Sequence, residues 1–284
     1  MSLPGLSKGL RQHLAPIHKG ARSLYRLWAE GERPLIPAVR RFSGRTVLVH
    51  PKLLTLDLNQ YEPHVLAWLS AWIRPGDCIL DVGANIGLLS LLMAKLCGPD
   101  GSVYAFEPSP ANLRLLEYHR RKNRTSQIRI QPVAVSNRHG DSVSFFLLNE
   151  GEHPSNSLVF SHDDVPNMAE SLIETRREIA VPTVTLDGFC AEHQLRPALI
   201  KIDVEGAELL VLNGAVRLLS EVRPRLILAV HPWWLPEGQT TADIVSFLAS
   251  HNYRIQTEAG VETSALDYGE YLCEPRPAGA DLPI

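Results

Sequence analysis

The chain has 284 residues, of which 45% are hydrophobic and 21% charged, and its formal net charge is −3. This composition is ordinary for a folded soluble protein and excludes a disordered chain, a collagen and a coiled coil. The longest nearly apolar stretch, residues 86–96, is about half of the roughly 20 residues that a membrane-spanning helix needs, which argues against an integral membrane protein.

The first 45 residues are basic, whereas the rest of the chain is acidic. Residues 1–45 contain nine Lys or Arg and two acidic side chains, and the remainder carries a net charge of −10. Apolar residues at helical spacing over 6–30 predict a helical N-terminal extension, interrupted at Pro16. We expect this extension, 1–45, either to pack on a domain formed by 46–284 or to contact an anionic membrane surface. The acidic body argues against a nucleic-acid partner.

The four cysteines are widely scattered and form no CxxC pair. This pattern predicts reduced thiols and excludes both a zinc site of the usual spacing and a disulfide scaffold. The expected location is therefore the cytoplasm, with attachment to the inner membrane face through residues 1–45 as an alternative.

Hydrophobic periodicity predicts the secondary structure after residue 45. Thr46–His50 and Leu53–Leu58 are predicted to form a hairpin. The predicted elements that follow are a helix at Tyr61–Ile73, a strand at Cys78–Val82, a helix at Ile86–Leu96, a strand at Ser102–Phe106, a helix at Pro110–Lys122 and a strand at Ile128–Val135.

The regular alternation lapses between about residues 140 and 186, where two strands, Ser142–Leu148 and Glu178–Leu186, flank a polar stretch. Such an insertion usually builds a wall or lid of a binding site. The predicted elements after it are Ala198–Ile202, a helix at Glu205–Leu219, Arg225–Val230, a helix at Thr241–Ser250, Tyr253–Gln256 and Tyr271–Glu274. This order predicts an α/β fold with a doubly wound, mostly parallel sheet.

The first strand of this sheet ends in ILDVGANIG, which predicts a ligand-binding turn. Asn85 stands where the dinucleotide fingerprint requires its second glycine, so the loop does not fit a pyrophosphate. Asp81, in front of Gly83, suits a cation instead. Glu107 follows the second strand, where a carboxylate can accept two ribose hydroxyls. S-adenosylmethionine combines a ribose, an amino-acid tail and a sulfonium cation, and it therefore fits this pattern.

The segment KIDVEGAE places charged residues at the end of a strand that should be buried. Burying Lys201 and Asp203 is costly unless they pair with each other or serve a reaction. The next strand ends at His231, a candidate general base. Trp233 and Trp234 follow it, either as walls of a substrate pocket or as core residues.

Together these motifs make the chain resemble the FkbM family of class I S-adenosylmethionine-dependent methyltransferases, over about residues 57–235. The resemblance rests on DVGANIG (Asp81–Gly87), FEPSPAN (Phe106–Asn112), VAVSN (Val133–Asn137), KIDVEGAE (Lys201–Glu208) and the strand ending at His231. It implies a seven-stranded, Rossmann-like sheet and O-methylation of a hydroxyl on a sugar, glycan, glycolipid or polyketide-type product. A homo-oligomer is a further expectation.

The resemblance also implies roles for individual residues. The cofactor-binding set is Asp81, Gly83, Ala84, Asn85, Gly87, Glu107, Pro108, Asn112, Ala134 and Asp203. The catalytic set is His231, Asp203, Glu205 and Lys201, with His231 or Asp203 as the base. The substrate-binding set is Ser155, Asn156 and Ser157 from the resemblance, together with Trp233 and Trp234, whose aromatic faces can stack on a sugar or another ring.

Several alternatives remain at this point. Some related methyltransferases bind Mg²⁺ through acids that follow the fourth and fifth strands, but here the fifth strand ends at His231, and Mg²⁺ prefers oxygen ligands. Mg²⁺ therefore stays an alternative that these residues disfavour, and no metal-ligating residue is predicted. An RNA or other small-molecule methyltransferase is a second possibility. A nicotinamide-dependent oxidoreductase and a non-catalytic cofactor-binding module represent other classes.

Overall fold

The computed structural model describes residues 36–58, 60–148, 157–158 and 176–277, and the chain divides after Tyr61 into two units. In the first unit, strands β1 (Ala38–Phe42) and β2 (Arg45–Val49) form an antiparallel hairpin. This hairpin spans the predicted boundary between residues 45 and 46. The helical prediction over residues 6–30 lies outside the described residues.

The prediction of a strand at Leu53–Leu58 is wrong, because Pro51–Thr55 forms a short 3-10 helix. Pro51 occupies a first-turn position, and the His50 side chain accepts a hydrogen bond from the Lys52 backbone N–H at 3.3 Å. Both features favour the start of a helix.

The second unit contains six α-helices and ten strands among its described residues, together with a short 3-10 helix at Pro232–Trp234 and a π-helix at Leu218–Val222. The helices are α1 (Pro63–Trp72), α2 (Leu88–Cys97), α3 (Pro110–Asn123), α4 (Leu186–Glu192), α5 (Glu208–Asn213) and α6 (Thr241–Ser250). The strands are β3 (Cys78–Val82), β4 (Ser102–Phe106), β5 (Ile128–Gln131), β6 (Ala134–Val135), β7 (Ser142–Leu147), β8 (Arg177–Val184), β9 (Leu199–Ile202), β10 (Arg225–Val230), β11 (Tyr253–Gln256) and β12 (Gly269–Pro275).

Seven of these strands form the main sheet in the order β11-β12-β10-β9-β3-β4-β5, which confirms the predicted fold class. Neighbouring strands from β10 to β5 are parallel, and β12 is antiparallel to both of its neighbours. The chain runs outward from β3 through β4 to β5 and then returns to β9 on the other side of β3. This reversal between β3 and β9 is the topological switch point, where sheets of this type bind ligands.

The two strands of the insertion pair with β6 in a separate small sheet of order β6-β8-β7. Ala134, Phe145, Leu147 and Val181 form its apolar core. The predicted strand Ile128–Val135 is in fact two strands, β5 in the main sheet and β6 in the small one. Pro132 lies between them, and it lacks the N–H that a continuous strand would use.

The predicted bounds of one strand and one helix also need correction. The chain after β8 was predicted as a strand through Leu186, but Leu186 begins α4, and the Thr185 side chain caps that helix by accepting from the Gly188 N–H at 3.0 Å. The predicted helix Glu205–Leu219 is divided: α5 begins at Glu208 and ends at Asn213, next to Gly214, and a π-helix follows at Leu218–Val222.

Over the part of the chain that the structure describes, no helix is both long and apolar enough to cross a membrane. The four cysteines are free thiols.

Candidate functional site

The candidate site lies at the carboxyl ends of four neighbouring strands of the main sheet. Asp81 occupies β3 directly beside Lys201 of β9 in the strand register. The chain continues into the Gly83 loop after β3, to Glu107 after β4, to Asp203 after β9 and to His231 after β10. The fold therefore brings the predicted cofactor and catalytic residues to one edge of the sheet.

Gly83 allows the loop after β3 to contact the segment after β9. Its φ is +79°, and a Cβ at this position would overlap the Asp203 carbonyl oxygen and lie 2.8 Å from the carbonyl carbon. The Gly83 and Ala84 N–H groups both donate to the Phe106 carbonyl, at 3.1 and 2.9 Å. The glycine is therefore required by the packing of the protein itself, whatever ligand the loop binds.

Asp81 is fully buried beneath this loop. Its Oδ2 accepts from the Ser90 hydroxyl at 2.5 Å, whereas its Oδ1 is buried without a hydrogen-bond partner. Burial raises the pKa of Asp81, while the Lys201 ammonium and the Ser90 hydrogen bond act to lower it. The unpaired oxygen is an acceptor that a positively charged donor can satisfy.

Glu107 is also buried and links the loops after β3 and β4. Its Oε2 accepts from the Asn85 N–H at 2.8 Å, and its Oε1 accepts from the Ser109 N–H at 2.7 Å. Burial raises its pKa to about 7, although these hydrogen bonds and one from the Asn112 side chain lower it. Each carboxylate oxygen has a further lone pair, so Glu107 retains capacity for hydroxyl donors.

The other predicted cofactor residues lie on the same loops or next to them. Gly87 precedes α2, and a Cβ there would lie 2.9 Å from the Leu116 side chain. Ala84, Asn112 and Ala134 are buried, and Pro108 is half-buried.

Lys201 and Asp203 form an ion pair of 2.8 Å between Nζ and Oδ2. Burial acts to lower the pKa of Lys201, but the carboxylates of Asp203, Glu62 and Asp81 raise it well above its usual range. Burial acts to raise the pKa of Asp203, but Lys201 and His231 hold it below its ordinary value. Asp203 is therefore a stable anion and a weak base.

His231 is buried and forms a strong hydrogen bond to Glu208. Its Nδ1 lies 2.7 Å from Glu208 Oε1, which also accepts the Gly206 N–H at 3.0 Å. A carboxylate only accepts hydrogen bonds, so Nδ1 carries a proton and Nε2 is the nitrogen free to exchange one. Nε2 lies 3.6 Å from Glu205 Oε2 and 3.8 Å from Asp203 Oδ1. The arrangement fixes the orientation of the imidazole.

The surrounding carboxylates favour the charged form of His231. Burial acts to lower its pKa, but the hydrogen bond to Glu208 and the charges of Glu205, Glu208 and Asp203 raise it to about 9. Burial in turn raises the pKa of Glu205 to about 7, against the lowering effect of His231. At neutral pH His231 is therefore mainly protonated, whereas Glu205 has a pKa close to neutral.

Asp203, Glu205 and His231 are close enough together to be ligands of one metal ion, with one potential ligand atom from each within 4.8 Å of the others. Two of them already have charged partners, because Lys201 donates to Asp203 and Glu208 binds His231. The Lys201 ammonium supplies the counter-charge that a cation would otherwise supply.

The raised pKa of His231 predicts that stability falls between pH 7 and 9. Because its folded value, about 9, exceeds its ordinary value of 6.5, its charge stabilises the fold fully below pH 6.5, and this contribution is lost as the pH rises toward 9. We expect urea unfolding to show a loss of about 1–3 kcal/mol over this range. A His231→Gln variant should lack this loss, whereas His251→Gln should retain it. An unchanged slope in His231→Gln would contradict the assignment.

The predicted substrate residues have different environments. Ser155 and Asn156 lie outside the described residues. Ser157 is buried, and its hydroxyl donates to the Glu205 carbonyl at 2.5 Å, so it positions the segment that carries Glu205. Trp234 is 6% exposed and lies in the interior, whereas Trp233 is 46% exposed.

Two residues near the imidazole were not assigned from the sequence. Glu208 ends the KIDVEGAE motif, and its spacing from His231 in the sequence gives no sign of their hydrogen bond. Tyr268 precedes β12, and its ring contacts that of His231 edge to face, with centroids 5.6 Å apart. The only signal in the sequence for a role of Tyr268 is that an aromatic residue stands shortly before a predicted strand.

Several known proteins are similar to this chain in sequence. The sequence model of the family described as "Methyltransferase FkbM domain" matches residues 81–255. The 31-O-demethyl-FK506 methyltransferase FkbM of Streptomyces tacrolimicus is 32% identical over 204 residues, which cover 66% of this chain and 76% of the relative. The hexuronic acid methyltransferase AglP of Haloferax volcanii is 26% identical over 210 residues, covering 73% and 78%.

A solved structure named methyltransferase FkbM from Methylobacillus flagellatus KT is 16% identical, with a TM-score of 0.45. The match covers 93% of this chain but only 60% of that chain, so this protein spans less than two thirds of its length.

Proposed function

Since the chain belongs to the FkbM methyltransferase family, we propose that it transfers the methyl group of S-adenosylmethionine to a hydroxyl oxygen of a sugar, glycan or polyketide-type acceptor. The observation that carries this proposal is the contact between the Gly83 loop and Asp203. It joins the cofactor residues and the His231 cluster at one edge of the sheet.

The residues at this edge fit S-adenosylmethionine. The unpaired, buried Oδ1 of Asp81 would accept from the ammonium of the amino-acid tail. Glu107 would hold the ribose hydroxyls. The carboxylates of this edge disfavour a phosphate, since like charges repel. When bound, the cofactor supplies an electrophilic methyl group attached to a positively charged sulfur.

The chain's own contribution is to orient the acceptor and to remove its proton. His231 Nε2 would accept the hydroxyl proton while Nδ1 remains bound to Glu208. A positive charge bound at this edge would lower the pKa of His231 and favour the neutral imidazole that this step needs. Asp203, held by Lys201, would balance the resulting imidazolium.

The names of two relatives support oxygen as the methyl acceptor. One acts on 31-O-demethyl-FK506, and another acts on hexuronic acid. We propose the same reaction class for this chain.

Calorimetric titration with S-adenosylmethionine tests the proposal. We expect the wild-type protein to bind it and the Glu107→Ala variant to bind at least about tenfold more weakly, because a buried charged acceptor is lost. Glu117→Ala, on the partly exposed side of α3, is the control and should bind normally. Glu107 also accepts two backbone N–H groups, so Glu107→Ala removes contacts that hold the loop as well as a contact to the ligand. Glu107→Gln keeps an acceptor oxygen and therefore separates the loss of ligand contact from distortion of the loop. Binding of nicotinamide dinucleotide without any binding of S-adenosylmethionine would contradict the proposed function.

A further inference from the structure

Two exposed aromatic side chains form a stacked pair. Trp233 is 46% exposed and Tyr268 is 63% exposed, and their ring centroids are 5.5 Å apart with an interplanar angle of 27°. They come from different parts of the chain, the turn after β10 and the residue before β12. Exposed aromatic surface of this kind commonly marks a binding site.

The aromatic pair, Trp233 and Tyr268, borders the proposed base. Tyr268 contacts the His231 ring edge to face at 5.6 Å, and Trp233 lies two residues beyond His231 in the chain. A ring seated on this pair would therefore lie next to the group that accepts a hydroxyl proton.

The geometry of the pair determines where a ligand ring can bind. A third ring between two others needs a centroid separation of about 7 Å, since each stacked layer is about 3.5 Å thick. The observed centroid separation of 5.5 Å is too short for a ring to fit between Trp233 and Tyr268. A ligand must therefore use the exposed outer surface of the pair, where the electron-rich ring faces attract C–H groups.

The charges around Tyr268 favour a neutral, hydroxylated ligand. The His231 ring that contacts Tyr268 has two carboxylates beside its Nε2, Glu205 Oε2 at 3.6 Å and Asp203 Oδ1 at 3.8 Å. Burial raises the pKa of Tyr268, and these two carboxylates, with those of Glu270 and Glu62, raise it further. Carboxylates accept hydroxyl hydrogens but repel an acidic ligand.

We propose that Trp233 and Tyr268 form the acceptor subsite and bind a neutral pyranose ring, whose C–H groups stack on the pair while its hydroxyls face the carboxylates and His231. This inference rests on the proposed function and narrows its acceptor. It differs from the hexuronic acid named for the Haloferax volcanii relative.

Saturation-transfer NMR tests the subsite. The probes are the methyl glycosides of glucose, galactose and mannose, with methyl glucuronoside and cyclohexanol as comparators, and the full chain is kept saturated with S-adenosylhomocysteine. We expect saturation of the ring C–H protons of at least one neutral glycoside, reduced about fivefold or more in Trp233→Ala and Tyr268→Ala. Tyr268→Phe should retain the signal because it keeps the ring. Val261→Ala, an exposed control on the same β11–β12 connection, should also retain it.

The outcomes separate this inference from the proposed function. Stronger transfer to methyl glucuronoside or to cyclohexanol would overturn the neutral-sugar assignment. Absence of transfer to all three neutral glycosides, or equal transfer in the alanine variants, would overturn the subsite. The proposed function fails only if calorimetry detects no binding of S-adenosylmethionine. Thermal melts confirm that each variant is folded.

Discussion

Replacing His231 by alanine should lower kcat about 10²- to 10⁴-fold, the range that a positioned general base contributes. The affinity for S-adenosylmethionine should change less than about twofold, because the lost imidazole acts on the acceptor. The assay measures transfer of a tritiated methyl group to 31-O-demethyl-FK506, methyl glucuronoside and the neutral methyl glycosides. Calorimetry on the same preparation measures cofactor binding.

Two variants distinguish a base from a structural histidine. Glu208→Gln keeps a hydrogen-bond acceptor for Nδ1 but removes a negative charge that raises the pKa of His231. The rising limb of its pH–rate profile should therefore shift to lower pH, which a structural role would not produce. Glu205→Gln should shift that limb in the same direction. If His231→Ala retained wild-type turnover, Glu205, whose pKa is about 7, would become the better candidate.

The placement of the candidate site residues at one edge of the sheet could be predicted from the sequence because its signals are local. Asp81, Gly83 and Glu107 each follow a short apolar run, and parallel strands bring such positions to one edge. The same logic predicted the position of His231 after β10. The positions of residues that follow strands can therefore be predicted wherever strands alternate regularly with helices.

The interactions that tune the site could not be predicted in this way. The Glu208–His231 hydrogen bond and the Tyr268–Trp233 stack join elements that are distant in sequence. The hydrophobic periodicity of the sequence does not predict such contacts. The role of Gly83 is a related case. Its spacing suggested close approach to a ligand, whereas the structure reveals close approach to the Asp203 backbone.

Gly83→Ala should be among the most damaging single substitutions in the chain. A positive φ costs a non-glycine residue about 1 kcal/mol, and forcing a methyl group into a packed site adds about 1–3 kcal/mol. We expect a loss of about 2–4 kcal/mol in the free energy of unfolding. The Asp203 carbonyl cannot move without displacing the side chain that pairs with Lys201, so methyl transfer should fall as well.

Gly76→Ala provides a matched control. Gly76 also has a positive φ, +87°, but a Cβ there would meet no atom within 4 Å. Gly76→Ala therefore has the cost of a positive φ but no steric clash. We expect it to lower the free energy of unfolding by about 1 kcal/mol and to leave turnover normal. Urea unfolding of both variants measures the difference. Equal losses would mean that the Gly83 loop can move away from Asp203, and the structural link between the cofactor loop and the His231 cluster would then be refuted.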